Sequence, residues 1–518
     1  MMSRLLGRAG DSRLSWTLLI PLALYLAGFA IFPPKSIVIN DEGLYVSQAV
    51  AFAGRHRTAV VRDPLTGEER NKPPSTYPIG TSILQVPFVY FGGWRNAAWL
   101  SVVSVILATF LLGKWLSDAG RPTWFALMFL AYLPTLVLGR VAMSELPTAA
   151  VVTLGLWLFW RGQEGPRWTW LLAGWVAGLS LLFRETAVLA FAPLFAGAVL
   201  RRDRGWPALM MGGIAGAGMR LVSSTWMFST PFFTRDPGYS FSPSNIQQNV
   251  LLYTFALLVL LPGGLMGVLA YRGARRAEVI ATVVLSLAFF LLYGYSGIES
   301  GFVKRIVLGP RFFIPVVPVI VFACAESFPR LWRRASHDEG RWGYRWRKLL
   351  PRLAVGLVAG ISFAVHPIMA RWAQGQGTIG AAIYSVTAPN SALVTNMVVP
   401  GKFFNLLQEP HVLAPSGEYP PSNVPRIRAV NRDTYLVFLD RTDSEFYRRE
   451  CVLNERYLEQ VERLCRLTLV HDRRHSATDR LRIWRVEVCN GVNPGPDRRG
   501  AEISAGVEAE EREVDNRK

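Results

Sequence analysis

An acidic pair, Asp41-Glu42, follows closely on the first long apolar run, which ends at Phe32. Two carboxylates at the mouth of a membrane span are costly unless they face water, a partner or a reaction. Each has a plainer use as well. Asn40 or Asp41 caps a following helix, an effect of about 1 kcal/mol, and Glu42 sets its charge against the helix dipole. A third carboxylate, Glu145, opens a later apolar run in Met143-Ser144-Glu145-Leu146-Pro147, with Ser144 placed as its cap. Three arginines lie where cations are rare: Arg184 between two short apolar runs, Arg220 within MMGGIAGAGMRLVSS, and Arg311 in GPRFFIPVVPVI. A cation at such depth is paired or binds an anion, and a planar guanidinium suits phosphate oxygens. The plainer alternatives are an internal salt bridge from Arg184 to Glu185 or Glu145, and snorkelling of Arg220 to the interface. Lys304-Arg305 is a further cationic candidate. Lys72, before Pro73-Pro74, contacts an anion or positions its loop. Tyr77, before Pro78, stacks on a ring or anchors at the interface.

These residues need a membrane frame. The chain has 518 residues, 51% of them apolar, with 17 Trp and 29 Phe. Runs of the length that crosses a bilayer, about 20 apolar residues, recur to about residue 370 and then stop. The candidates are 16–33, 97–116, 122–139, 145–160, 168–183, 186–200, 206–226, 249–271, 278–296, 311–328 and 353–370. The two flanking Arg184 are short enough for a tight hairpin. The net charge of +19 falls mainly in short loops, so it speaks for membrane topology rather than nucleic acid. Arg and Lys near 114–121, 161–167, 201–204, 272–276 and 330–352 all fall on one side together with the N-terminus. The positive-inside rule makes that side cytoplasmic. The 34–96 loop and everything after 371 then lie outside. The first run follows Arg4, Arg8 and Arg13 but lacks a small-x-small cleavage pattern, so it reads as a retained span.

The outer loop carries two helices lying along the surface, Asp41 to Arg55 and Tyr77 to Gly93; the second contains Pro78, Gly80 and Pro87. Beyond 371 the pattern changes. Ser391–Asn396, His411–Ala414, Thr434–Asp440 and Leu481–Val488 read as strands, and Lys402–Gln408 and Ser444–Leu464 as helices. That alternation predicts a small α/β domain over 371–489. The charged 490–518 segment reads as disordered. Cys324 lies in an apolar run; Cys451, Cys465 and Cys489 lie in the tail, an odd set that allows one disulfide in any of three pairings. The expected fold is a polytopic α-helical membrane protein with about eleven spans in a 1–370 domain, outer-face surface helices and a small C-terminal α/β domain. No His, Cys and Asp cluster has metal-ligand spacing. No GxGxxG or GxxxxGK[ST] loop sits between the right elements, which argues against a nucleotide donor.

With these pieces placed, the chain resembles the GT-C glycosyltransferases, multispan enzymes that move a sugar from a polyprenyl-phosphate carrier to an acceptor outside the cytoplasm. It is similar to protein O-mannosyltransferases and to the transferases that place aminoarabinose on lipid A. The resemblance spans roughly residues 15–330. It rests on DEGLYVSQAVAFAGR after the first span, NKPPSTYPIGTSILQVPFVYFGG (71–93), MSELPTAAVVTLGLWLFWR (143–161), GWVAGLSLLFRETAVLAFAPL (174–194) and GPRFFIPVVPVI (309–320). Glu145 replaces the Asp more usual in the family. The resemblance implies a GT-C-like fold in a bacterial inner membrane and a polyprenyl-phosphate-linked sugar as donor. The acceptor hydroxyl belongs to a glycan, lipid or protein, and no nucleic acid is involved. Asp41 is then the general base of an inverting transfer, with Glu42 orienting the acceptor or a cation. Glu145 lines the cavity, Arg184, Arg220 or Arg311 holds the carrier phosphate, and Lys72 and Tyr77 contact the donor. Members differ in using a divalent cation, so the resemblance implies neither its presence nor its absence. Two competing readings are a lipid-linked oligosaccharide transporter or flippase, and an outer-face polysaccharide ligase or polymerase. The first is expected to show repeated halves around a midplane site, and no internal repeat is visible. The second is expected to carry its main soluble loop between late spans.

Overall fold

The computed structural model describes residues 16–62, 69–232, 241–294, 306–335, 341–388, 391–395, 412–415, 433–442 and 445–489. In chain order the elements are α1 (Trp16–Ile31), α2 (Asn40–Ala53), β1 (Ala59–Arg62), β2 (Glu69–Lys72), α3 (Gly80–Gly92) and α4 (Trp99–Asp118). There follow α5 (Leu127–Ala131), α6 (Leu133–Leu138), α7 (Glu145–Glu164), α8 (Arg167–Leu179), α9 (Val188–Leu200) and α10 (Trp206–Phe228). Then come α11 (Asn245–Phe255), α12 (Gly264–Leu269), α13 (Arg276–Leu292), α14 (Val317–Ala335) and α15 (Arg341–Val386). The last elements are β3 (Ala392–Thr395), β4 (Val412–Pro415), β5 (Thr434–Arg441), α16 (Glu445–Leu464), β6 (Cys465–Arg474) and β7 (Asp479–Cys489). The chain divides into two compact units. One is drawn from Met1–Lys35, Leu44–Arg57 and Pro73–Ala373; the other from Ser36–Gly43, Thr58–Lys72 and Gln374–Lys518.

The first unit is a helix bundle. Among the described residues, Trp94–Asp118, Ile306–Trp332 and Leu349–Val386 are long and apolar enough to cross a membrane. Thr17–Ile31, Glu185–Leu200 and Asn245–Leu260 are shorter apolar helices. The about eleven spans expected from the sequence are thus not all uninterrupted apolar helices of full length. The 122–139 segment breaks into a 3-10 turn, α5 and α6, because Pro134 has no N–H to give the Leu130 carbonyl. The 249–271 segment passes through a π turn at Ala256–Leu260 and restarts after Gly263, whose φ is +70°. The 311–328 segment opens as a 3-10 stretch, Gly309–Val316, held off the α-helix by Pro310 and Pro315.

Glycine sets the closest helix pair. Gly174 and Gly178 of α8 face Gly212 and Gly216 of α10, and a Cβ at Gly174 would strike the Leu209 carbonyl. Small residues allow this approach, the usual route to tight association where lipid supplies no hydrophobic drive. Ion pairs gather the basic loops. Glu326 takes Arg121 at 2.9 Å and Arg330 at 2.8 Å, Asp203 takes Arg275 at 2.5 Å, and Arg201 meets Glu278. Every arginine in these pairs comes from a loop or helix end that the charge pattern assigns to one side.

In the second unit, β1 and β2 form an antiparallel pair that the sequence reading did not contain. The larger sheet has the order β4-β3-β5-β7-β6, parallel through β4, β3 and β5 and antiparallel beyond. Strand β5 alternates faces. Tyr435, Val437 and Leu439 pack with Ile379 and Ile383 of α15, while Leu436 and Phe438 pack with Tyr457, Leu458 and Val461 of α16. A central strand covered on both faces reads as a continuous apolar run, which is why TYLVFLD was legible. Strand β6 was missed, because LTLVHDRR is mostly exposed and polar at its end. The disulfide joins Cys465 to Cys489 across β6 and β7, leaving Cys324 and Cys451 as thiols. The helix expected at Lys402–Gln408, the disorder expected over 490–518 and Lys304-Arg305 lie outside the described residues.

Candidate functional site

The site in the bundle grows from a helix start, a helix break and a 3-10 stretch. Helix α7 begins at Glu145, with Pro147 in its first turn, where a missing N–H costs nothing. Glu145 is fully buried. Arg184 sits in extended backbone between the 3-10 turns that separate α8 from α9. Arg311 comes from the proline-bounded 3-10 stretch before α14 and is 2% exposed. The fold brings all three together. Glu145 Oε1 lies 2.9 Å from Arg184 Nη1 and 3.3 Å from Arg311 Nε. Both guanidiniums also lie over the Phe312 ring, at 4.6 and 4.9 Å from its centre.

One carboxylate oxygen lies within ion-pair distance of two cations, and neither Glu145 oxygen has a hydrogen-bond partner among the described residues. The three side chains carry one positive charge in excess. Such a group is a poor stability device, because desolvating buried ions offsets much of their attraction. It suits an anion that arrives at the cations. Arg184 is the approachable member, with its side chain 19% exposed.

Ser144 does not act as the expected cap; its hydroxyl makes no capping bond to α7. It instead accepts from Tyr45 Oη at 2.9 Å and from Arg184 Nη1 at 3.4 Å. Tyr45, on α2, stacks on Tyr77 with ring centres 4.6 Å apart. Ser82 of α3 donates to the Tyr45 carbonyl at 3.0 Å, and Gln85 donates to Ala142 at 3.3 Å. Tyr77 is thus beside the arginine group, held through Tyr45 and Ser144. Tyr45 and Phe312 were not singled out from sequence, and Ser144 was read only as a helix cap. The one available signal was adjacency, since each is within a few residues of Asp41, Glu145 or Arg311.

The remaining candidates have their own local partners. Arg220 pairs with Glu185 at 2.8 Å and with the Ser224 hydroxyl. Lys72 ends β2, with its backbone opposite Ala59. The acidic pair belongs to the Ser36–Gly43 segment of the second unit. Glu42 is buried, and its Oε2 accepts from the backbone N–H of Val38 at 3.0 Å and Ile39 at 3.5 Å. That is the returning half of a capping box, with Ile39 rather than Asn40 or Asp41 preceding the helix. Asp41 is half-buried in the first turn of α2. Among the described residues, no group of three or more His, Cys, Asp or Glu side chains is placed to hold a metal ion.

No protein-family model matches the chain, and no curated protein sequence does. Solved structures do. The crystal structure of ArnT from Cupriavidus metallidurans bound to undecaprenyl phosphate superposes with a TM-score of 0.59 at 15% identity, covering 92% of this chain and 98% of that one. The same protein in the apo state gives a TM-score of 0.56 at 14% identity with the same coverage. At such identity the likeness is one of fold, and it extends over both units. The chain therefore shares its fold with ArnT.

Proposed function

We propose that the chain is a membrane glycosyltransferase that moves a sugar from a polyprenyl-phosphate donor to an acceptor hydroxyl on the extracytoplasmic side. The observation that carries this reading is the buried Arg184–Glu145–Arg311 group within a bundle of the ArnT fold. It offers cationic donors to a lipid-borne phosphate, as required when the leaving group departs with the electron pair.

In the proposed step the bond from the anomeric carbon to the phosphate oxygen breaks. The acceptor oxygen forms the new bond from the opposite face, which inverts the configuration. The sugar passes through an oxocarbenium-like state, and the acceptor proton goes to the Asp41 carboxylate. Arg184 and Arg311 stabilise the departing phosphate. Tyr45 and Tyr77 border the group, and Lys72 supports the outer loop. Glu42 anchors the helix start that presents Asp41, because its carboxylate is already engaged by backbone N–H groups. The basic loops lie in the cytoplasm and the C-terminal domain outside. A disulfide in that domain supports this orientation, since disulfides persist in oxidising compartments.

The test is transfer from a radiolabelled polyprenyl-phosphate sugar by the purified chain in lipid vesicles. Asp41→Asn is expected to lower turnover by about 10²–10⁴-fold, the usual effect of losing a general base, with the protein still folded and inserted. A fully active Asp41→Asn variant would remove the base assignment. Movement of the unchanged labelled lipid across the vesicle membrane would favour a flippase instead.

A further inference from the structure

Arg184 is turned to Glu145, and this has a consequence for an incoming phosphate. We propose that Glu145 is a placeholder for the carrier phosphate: it holds Arg184 between turnovers, hands it to the arriving phosphate, and competes for it again when the spent carrier must leave. This rests on the phosphate-site reading above.

Four observations carry it. Glu145 Oε1 is shared by both guanidiniums, so neither has the two-oxygen fork pairing that makes an arginine–carboxylate contact strongest. Neither oxygen of Glu145 has a hydrogen-bond partner among the described residues, so the carboxylate is held by charge rather than by directed bonds. Arg311 is almost fully enclosed beside Glu145, whereas Arg184 is partly exposed. Arg184 also keeps a looser contact with Ser144 and a ring contact with Phe312, which let it pivot without losing every partner.

The charge balance follows. When Arg184 turns to a phosphate, Glu145 stays neutralised by Arg311 and no buried carboxylate is stranded. A phosphate beside an uncompensated carboxylate would be repelled. Glu145 thus lowers the affinity of the site for monophosphate in both directions, which matters most for the product, because the carrier phosphate carries more charge once the sugar has left. Glu145 is here a positioning residue that acts through Arg184.

The measurement is binding of undecaprenyl phosphate to the purified full chain in nanodiscs, together with kcat and KM for the sugar donor and inhibition of transfer by added undecaprenyl phosphate. Glu145→Gln is expected to bind the monophosphate at least about fivefold tighter, to lower KM and kcat together, and to raise product inhibition, the pattern of a lost ground-state competitor. Unchanged or weaker binding by Glu145→Gln, or a raised KM, would overturn the proposal and assign Glu145 to the sugar, the acceptor or the fold. If Glu145→Gln does not fold, Glu145→Asp serves, since its shorter side chain loosens the hold on Arg184 while keeping the charge; tighter monophosphate binding is again expected, and its absence overturns the proposal. Arg184→Gln separates the two levels. Wild-type binding that survives Arg184→Gln undiminished would show that no phosphate reaches Arg184, removing the site reading and the hand-over with it.

Discussion

At the residue scale, the decisive pairing is one oxygen of Glu145 with two arginines. Its depth was legible, since a carboxylate and a guanidinium at the ends of apolar runs must find partners. Glu145 was among the partners expected for Arg184. Arg311 was a candidate on its own account, but nothing local tied it to Glu145. Truncating one member of such a group leaves buried charge poorly compensated. Arg311→Ala is therefore expected to destabilise the protein by about 3 kcal/mol, in the range for a broken buried pair. Lys114→Ala removes the more exposed contact to Asp118 at 2.7 Å and is expected to cost under about 1 kcal/mol. Thermal unfolding in detergent compares the two, and equal losses would mean that the Arg311 contact is as solvated as a surface pair. Glu42 shows the converse lesson. Paired with Asp41 in sequence, it is bound to the backbone of Val38 and Ile39, because an acid at the third helical position can reach back over the helix start.

At the element scale, helix types and places followed from apolar runs, and their interruptions followed from proline and glycine. Pro134, Pro310 and Gly263 each break a segment that composition alone presents as continuous. The breaks matter, since Arg184 and Arg311 both reach Glu145 from backbone that is not α-helical. What composition did not reveal is which glycines face a neighbour. Gly174→Leu is expected to abolish stable expression, because its side chain would meet the Leu209 carbonyl across the α8–α10 contact. Gly218→Ala on α10 has open space and is expected to fold as well as wild type or better. Size-exclusion profiles of the two variants check this; a monodisperse Gly174→Leu protein would mean the helices can part there at little cost.

At the scale of the whole molecule, the chain comprises a helical membrane unit and a unit built around a five-stranded sheet. The second unit draws in Ser36–Gly43 and Thr58–Lys72 from the first outer loop, where the sequence reading had placed only the 371–489 segment. If that unit lies outside, the Cys465–Cys489 disulfide forms on export. Maleimide labelling of denatured protein is expected to count two thiols before reduction and four after, and four before reduction would argue for a reducing compartment. Replacing both cysteines by serine is expected to cost about 3 kcal/mol, the loop-entropy value for a ring of this size.

The sequence by itself carried the membrane character, the fold its motifs resemble, and most strands and helices of the tail. Those signals are local, written in the length of apolar runs, in alternation along a strand and in helix-breaking residues. Only the tertiary structure decided that Arg184 and Arg311 share Glu145, that Ser144 serves Tyr45 and Arg184 instead of capping α7, and that Cys465 takes Cys489. Each is a choice among partners far apart in the chain, and helix packing and strand register make that choice, neither of which a local pattern contains.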